Sequence, residues 1–395
     1  MPVTIRMPPT IRPLVRLTPQ DKIAFLHPGY NAPRNHLFSL PRVDAVNGET
    51  DDRRGVHHGT ALVACQIVAN NSFGKGCLCL DADGQEPAPQ DLEGILTASQ
   101  YYFVIGHSRA EPYPVVPSFQ DWEFPHSDFP VGWPAPSDPQ VGAISATSAH
   151  CVVTSSSLAS TSAHLIPKEH GRWFALNAMS IYAINTRDVD DESNLVRMRA
   201  DIHKCFDDRM FVFAPKTDKD GKQHYVVHAV HEGDTEVRDM YQNTAVQAIG
   251  RVSREYLLAR FAWCILLRLK PFLVSGVPRR VVQFRIFDGV EPESRTDWLG
   301  SSELSEMYGG GKSRSASPRK RKHGIASGET GSGEQEGDCS STAVGFDAES
   351  EDGDVWYARE IDNQGHERGR SRKRVRREQD TVPFLSSLRY KDEID

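Results

Sequence analysis

Between His107 and Thr147 prolines recur so often, as in EPYPVVPSFQDWEFPHSDFPVGWPAPSDPQ, that regular helix cannot form: each removes a backbone donor and clashes with the preceding turn. The stretch therefore reads as a connector or irregular surface segment, and it divides the ordered sequence in two. Trp122, Phe124 and Trp133 inside it predict that parts of it pack onto a neighbour.

Before the connector, a Pro-containing leader (residues 1–21) gives way to short apolar pieces broken by Pro and Gly. His58 to Ala69 is mainly apolar, and its length favours a helix over a buried strand. Lys75–Leu80 and Gln100–Ile105 read as strands, and Asp81-Ala82-Asp83-Gly84 as a hairpin turn, since it lacks the downstream acidic ligand of a calcium loop. Residues 22–106 thus predict a small mixed α/β unit, 107–147 the Pro-rich connector, and 148–299 a second α+β domain. That domain ends in a helix over Ser253–Leu267, with Ser253 as N-cap and Pro271 beyond its end.

Beyond Leu299 Gly, Ser, Glu and Arg dominate, so residues 300–395 predict a disordered tail with little to bury. It carries two basic clusters, 318–322 (PRKRK) and 370–377 (RSRKRVRR), separated by acidic residues. They suit capture by a nuclear import receptor or phosphate attraction, and predict an intracellular, nuclear protein. The whole chain has a net charge of −7, so contact with nucleic acid must come from local Lys/Arg clusters. Seven cysteines without framework spacing predict buried thiols in a reducing compartment. No stretch approaches the length of a membrane span, and no membrane partner is expected.

Chemistry concentrates between Cys151 and Lys216. Ala163-His164-Leu165-Ile166 is a short apolar run holding one imidazole and closed by Pro167, which suits a strand presenting His164 at its exit. Asn194–Met198 is a second extended run, and Ala200–Phe206 can start a helix carrying His203. Two strands and a helix in this order bring together the parts that hydrolysis of a phosphodiester needs: a base for water, a cation for the phosphate, and a polar residue holding the base's loop. A histidine in an apolar strand, or one on a helix surface, is ordinary when taken alone; the ordered combination is what points to a site.

The segment resembles the HNH endonuclease superfamily, in the form found in fungal proteins: Cys151-Val152-Val153-Thr154, Ala163-His164-Leu165-Ile166-Pro167, Asn194-Leu195, then His203-Lys204-Cys205-Phe206-Asp207 and Phe211-Val212-Phe213-Ala214-Pro215-Lys216. The resemblance implies a ββα-metal fold in which His164 is the general base, Asn194 orients its loop and His203 is a metal ligand. It implies a nuclease acting on nucleic acid, DNA rather than RNA. Ala163 stands where many relatives have a ligand, leaving a sparse shell that suits Mg²⁺, with Mn²⁺ or Zn²⁺ as alternatives. Asp207, one turn after His203, is the candidate second ligand, ahead of Asp201. Ser155 stands where a turn glycine is expected, and the acidic run Asp188–Glu192 would repel phosphate unless turned away. The rival reading is a catalytically weak or inactive HNH-fold binding module in the nucleus. Cys151 or Cys205 as zinc ligands, and His57 and His58 as a metal pair, are weaker than thiol burial and a helix-start role.

Overall fold

Along Lys22–Leu26, Ile23 and Phe25 are buried while Lys22 and Ala24 stay partly open, the period-2 signature of a strand with one face on a core. In the computed structural model, which describes residues 21–46, 53–106, 111–136, 149–231, 235–247, 249–287 and 291–310, this strand is β1. It is followed by β2 (His36–Pro41), β3 (Asp44–Ala45), β4 (Arg54–His57), α1 (His58–Val68), β5 (Cys77–Cys79), β6 (Ile95–Leu96) and β7 (Gln100–Val104). The strands form two small sheets, ordered β2-β1-β7-β5 and β3-β4-β6. Helix α1 is buried on nearly every side, so it has no polar face to show solvent. His57 caps it, its ring accepting from the Thr60 amide at 3.2 Å, and this is the helix-start role expected of that imidazole.

Among its described residues the proline segment carries a single 3₁₀ turn, at Phe119–Asp121, yet it is packed. Trp122, Phe124 and Trp133 are all buried. The Trp122 indole donates to Asn71 at 2.7 Å, and its ring stacks on Trp173 with centroids 5.7 Å apart. Backbone bonds join Val115 to Arg280 and Val282, so chain without its own ladder borrows partners from distant elements.

The second half runs β8 (Ser160–His164), α2 (Gly171–Leu176), β9 (Leu195–Arg199), α3 (Ala200–Asp207), β10 (Phe211–Thr217), β11 (Gln223–Ala229), α4 (Thr235–Tyr241), α5 (Arg254–Leu266), α6 (Lys270–Leu273), β12 (Arg279–Arg285), β13 (Glu293–Leu299) and α7 (Ser301–Tyr308). Three antiparallel pairs result: β8 with β9, β10 with β11, and β12 with β13. Ser253 caps α5 as expected. Pro271 opens α6 rather than closing its predecessor, because a proline in the first turn forfeits only an amide that has no helical acceptor. Order also extends past residue 300, against the expectation of an unfolded tail from there: α7 forms and buries Leu304. Both basic clusters, and most of the leader and tail, lie outside the described residues.

Every residue of α5 from Tyr256 to Leu266 is buried, and α5 lies against α1, β10 and the Phe119 turn. The hydrophobic core accordingly runs as one cluster from Ile23 to Leu304. The described cysteines are all free thiols, and no helix among the described residues is long and apolar enough to cross a membrane.

His27 and His228 sit in this core and His170 lies at its edge, all three as neutral rings. Burial pushes His27 and His228 down to about 3 and His170 to about 4, with help from the nearby cations Arg279, Lys216 and Arg260 respectively. An unfolded chain protonates these rings near pH 6.5. Between that pH and about 4 the unfolded state therefore holds more protons than the native one, and stability falls as the solution is acidified. The expected slope is about 1.4 kcal/mol per pH unit for each ring. Urea midpoints measured from pH 7.5 to 4.5 should fall steadily; a flat midpoint would contradict the buried neutral assignment.

Candidate active site

Strand β8 pairs with β9 in the register Ser160↔Arg199, Ala163↔Val196 and His164↔Leu195. Ala163, Val196 and Met198 are buried, and so are Ile202 and Phe206 on α3, one turn apart; these side chains hold the helix on the hairpin. His203 and Asp207 lie next to that apolar stripe and stay partly open to solvent. Arg260 anchors the far end of α3. It donates to the Phe206 carbonyl, and its guanidinium lies 3.7 Å from the Phe206 ring centroid and 4.6 Å from that of Trp263.

His203 Nε2 and Asp207 Oδ2 are 3.5 Å apart. The other ring nitrogen, Nδ1, is 2.8 Å from the Thr161 hydroxyl, which itself reaches the Met198 carbonyl at 3.3 Å. When that hydroxyl gives its proton to Met198 it can only accept from Nδ1–H, leaving the Nε2 lone pair beside the carboxylate. Asp201 goes elsewhere: both of its oxygens bind Arg199, at 2.7 and 2.8 Å. Ala163 is fully buried and apolar, so it offers no ligand.

Asn194 is fully buried at the end of a 3₁₀ turn. Its amide donates to the carbonyls of Ile166 at 2.9 Å and Val189 at 2.8 Å, and its oxygen accepts from the Ile166 amide at 2.9 Å. With Leu165 bound to the Asn194 carbonyl, the chain just after His164 is stapled to the chain ahead of β9. Asn194 thus acts on the path of the backbone and makes no bond to the His164 ring.

His164 sits at the strand exit with its side chain 22% exposed, and its Nε2 lies 2.8 Å from Asp190 Oδ1. Lys168 also binds Asp190, at 2.8 Å. Hydrogen bonds from Lys168 first, and His164 second, hold this carboxyl below the usual range. Neither Asp190 nor Lys168 was singled out from the sequence; the one signal was the acidic run Asp188–Glu192, read as repelling phosphate. In the structure that run is taken up by local bonds: Asp190 meets Lys168, and Asp188 accepts from the Thr186 hydroxyl at 2.9 Å. Asp191 turns inward, where burial opposes its ionisation but bonds from Ser193, Ile184 and Thr186 prevail and keep it charged. Glu192 pairs with Arg251 at 3.0 Å.

The imidazoles of His164 and His203 do not touch. His203 is held at Thr161, three residues before His164 on β8, which separates their anchor points by roughly 10 Å at the usual rise of a strand. Among the described residues no group of three or more His, Cys, Asp or Glu is placed to hold a metal ion. His203 and Asp207 supply one imidazole and one carboxylate side by side on α3. One imidazole and one carboxylate suit a hard cation that keeps most of its waters, and do not suit a closed four-ligand zinc site. Cys151 serves the turn ahead of β8, its thiol accepting from the Thr154 amide, and Ser155 beside it adopts a left-handed φ of 55°, the conformation that made glycine the expected residue.

No curated protein and no solved structure matches the chain. One family model does, that of the HNH endonucleases, over residues 151–214. This span opens at the Cys151 turn, takes in β8, β9 and α3, and closes within β10. His164, Asn194, His203 and Asp207 all fall inside it, and residues 151–214 belong to the HNH endonuclease superfamily.

Proposed function

We propose that the protein is a divalent-metal-dependent endonuclease that hydrolyses phosphodiester bonds, with DNA as substrate and the β8–β9–α3 unit as a ββα-metal site. The observation that carries this reading is the placement of His164 at the exit of β8, its loop stapled by Asn194, on the same hairpin that seats the His203–Asp207 donor pair. His164 takes a proton from the attacking water, since a neutral imidazole is a competent base near neutral pH. His203 and Asp207 hold the cation, Mg²⁺ or in its place Mn²⁺, which when bound supplies positive charge to the phosphate and the departing oxygen. Arg197, exposed on β9 and bonded to Ser162 at 3.0 Å, adds positive charge on the hairpin. The clusters at 318–322 and 370–377 are proposed to add salt-sensitive phosphate affinity and to direct the protein to the nucleus through an import receptor.

A second reading, an HNH-fold module that binds nucleic acid without cutting it, is favoured by one observation, the two-donor ligand set left by Ala163. Cleavage assays separate the two. Purified protein is incubated with plasmid, single-stranded DNA and RNA in Mg²⁺, Mn²⁺, Zn²⁺ or EDTA, and metal is titrated against wild type and His203→Ala. The nuclease reading expects cleavage abolished by EDTA and a metal requirement raised at least about 10-fold in the variant. Binding without cleavage in every metal selects the second reading, and cleavage indifferent to EDTA rejects the metal site.

A further inference from the structure

We propose that Asp190 is the positioning residue of the site, fixing His164 as the Nε2–H tautomer so that Nδ1 carries the lone pair that meets water. The inference rests on the reading of His164 as the base. Its warrant is geometric: the Nε2 to Oδ1 distance is 2.8 Å, and an ionised carboxylate can only accept, so the proton of the neutral ring must lie on Nε2.

Three features make this an arranged contact rather than a chance meeting of surface groups. Asp190 does not hang on a free loop: its own amide donates to the Asp188 carboxylate at 2.8 Å, and its neighbour Val189 accepts from Asn194. Asp191, next in the chain, ties residues 184–186 and Ser193 together through its carboxylate. Lys168, one residue past Pro167, approaches the same carboxylate and favours its charged form. The segment carrying Asp190 is thus pinned by the same asparagine that pins the segment carrying His164, so base and carboxylate are held in one frame.

In the step this serves, the water oxygen forms its bond to phosphorus as its proton passes to Nδ1. The bond from phosphorus to the leaving oxygen breaks with its electron pair, and that oxygen is then protonated from solvent. The ring becomes a cation while its Nε2–H stays bonded to Asp190, a charge-assisted hydrogen bond present from the start. Asp190 touches neither the phosphate nor the attacking water and takes no proton itself. Its side chain is 50% exposed, so its contribution falls short of the roughly 10⁴-fold that a buried orienting carboxylate provides.

The test uses the full chain labelled with ¹⁵N-histidine, with the His164 signals assigned by His164→Gln. Long-range ¹H–¹⁵N correlation should show His164 as the Nε2–H tautomer in wild type and in Lys168→Met, and as a mixture or Nδ1–H in Asp190→Asn. In single-turnover cleavage of plasmid DNA, Asp190→Asn should lose about 10- to 100-fold in rate with substrate binding within about twofold, and Asp190→Glu should recover part of the loss. Wild type in the Nδ1–H form, or Asp190→Asn unchanged in both tautomer and rate, overturns the proposal. Should the protein cut nothing, the tautomers still decide whether Asp190 orients the ring, while the nuclease reading fails separately.

Discussion

Replacing His164 by alanine is expected to lower the single-turnover rate of Mg²⁺-dependent cleavage by about 10²–10⁴-fold, the range that a positioned general base supplies. Binding of the DNA should be nearly unchanged, because the ring acts on water and leaves Arg197 and the tail clusters in place. Folding should also survive. The backbone around residue 164 is held by strand pairing with β9 and by the three hydrogen bonds of Asn194, none of which uses the imidazole. A His164→Ala variant that melts like wild type, binds like wild type and cuts within about threefold of wild type would remove His164 from the mechanism. Asn194→Ala is a contrasting case: it strips bonds from a fully buried group, so loss of activity there accompanies loss of loop structure.

Asp44→Ala is expected to cost about 3–5 kcal/mol of folding stability, the penalty for leaving one member of a buried ion pair alone. Asp44 is 2% exposed. Its Oδ1 accepts from Lys216 at 2.6 Å, Gln242 at 2.9 Å and Asn243 at 3.1 Å, and its Oδ2 from the His57 amide at 2.9 Å. Burial alone would raise its pKa; the Lys216 ammonium and the donated bonds outweigh it and hold the carboxyl well below the usual range. This support is in force above about pH 4 and fades only in stronger acid, so at neutral pH the full cost is exposed. The network joins β3 and β4 to β10 and the turn after α4, so its loss loosens the N-terminal sheets from the half that bears the site. Urea unfolding at pH 7.5 should show the midpoint falling with the slope held. The combination Asp44→Asn with Lys216→Met, which removes both charges, should cost much less. A loss below about 1 kcal/mol for Asp44→Ala would show that the pair contributes little.

The candidate site was legible in the sequence wherever its logic is local. Ala163-His164-Leu165 announces a strand because alternate positions face opposite ways, and Ile202 with Phe206 announces a helix face that leaves His203 and Asp207 beside it. The α5 helix declared itself by its apolar spacing and by Ser253. By contrast β12, β13 and α7 gave no such signal, and the aromatics of the proline segment predicted its packing without naming the partners. Their order comes from partners far along the chain: Val115 on Arg280, Trp122 on Asn71 and Trp173, Leu304 on the common core.

Sequence by itself determined which candidate residues are present and the order in which they come: an imidazole at a strand exit, an asparagine before the second strand, and an imidazole and a carboxylate one turn apart on a helix. Spacing of two along a strand and of four along a helix sets which side chains share a face, whatever the rest of the chain does. Only the tertiary structure decided what each of these residues meets. Asp190 lies 2.8 Å from His164, with Lys168 beside it, and Asp201 is drawn off to Arg199. Those meetings depend on the path of the long connection between β8 and β9. That path is set by the inward carboxylate of Asp191 and the staple at Asn194, and no periodicity in the chain encodes it.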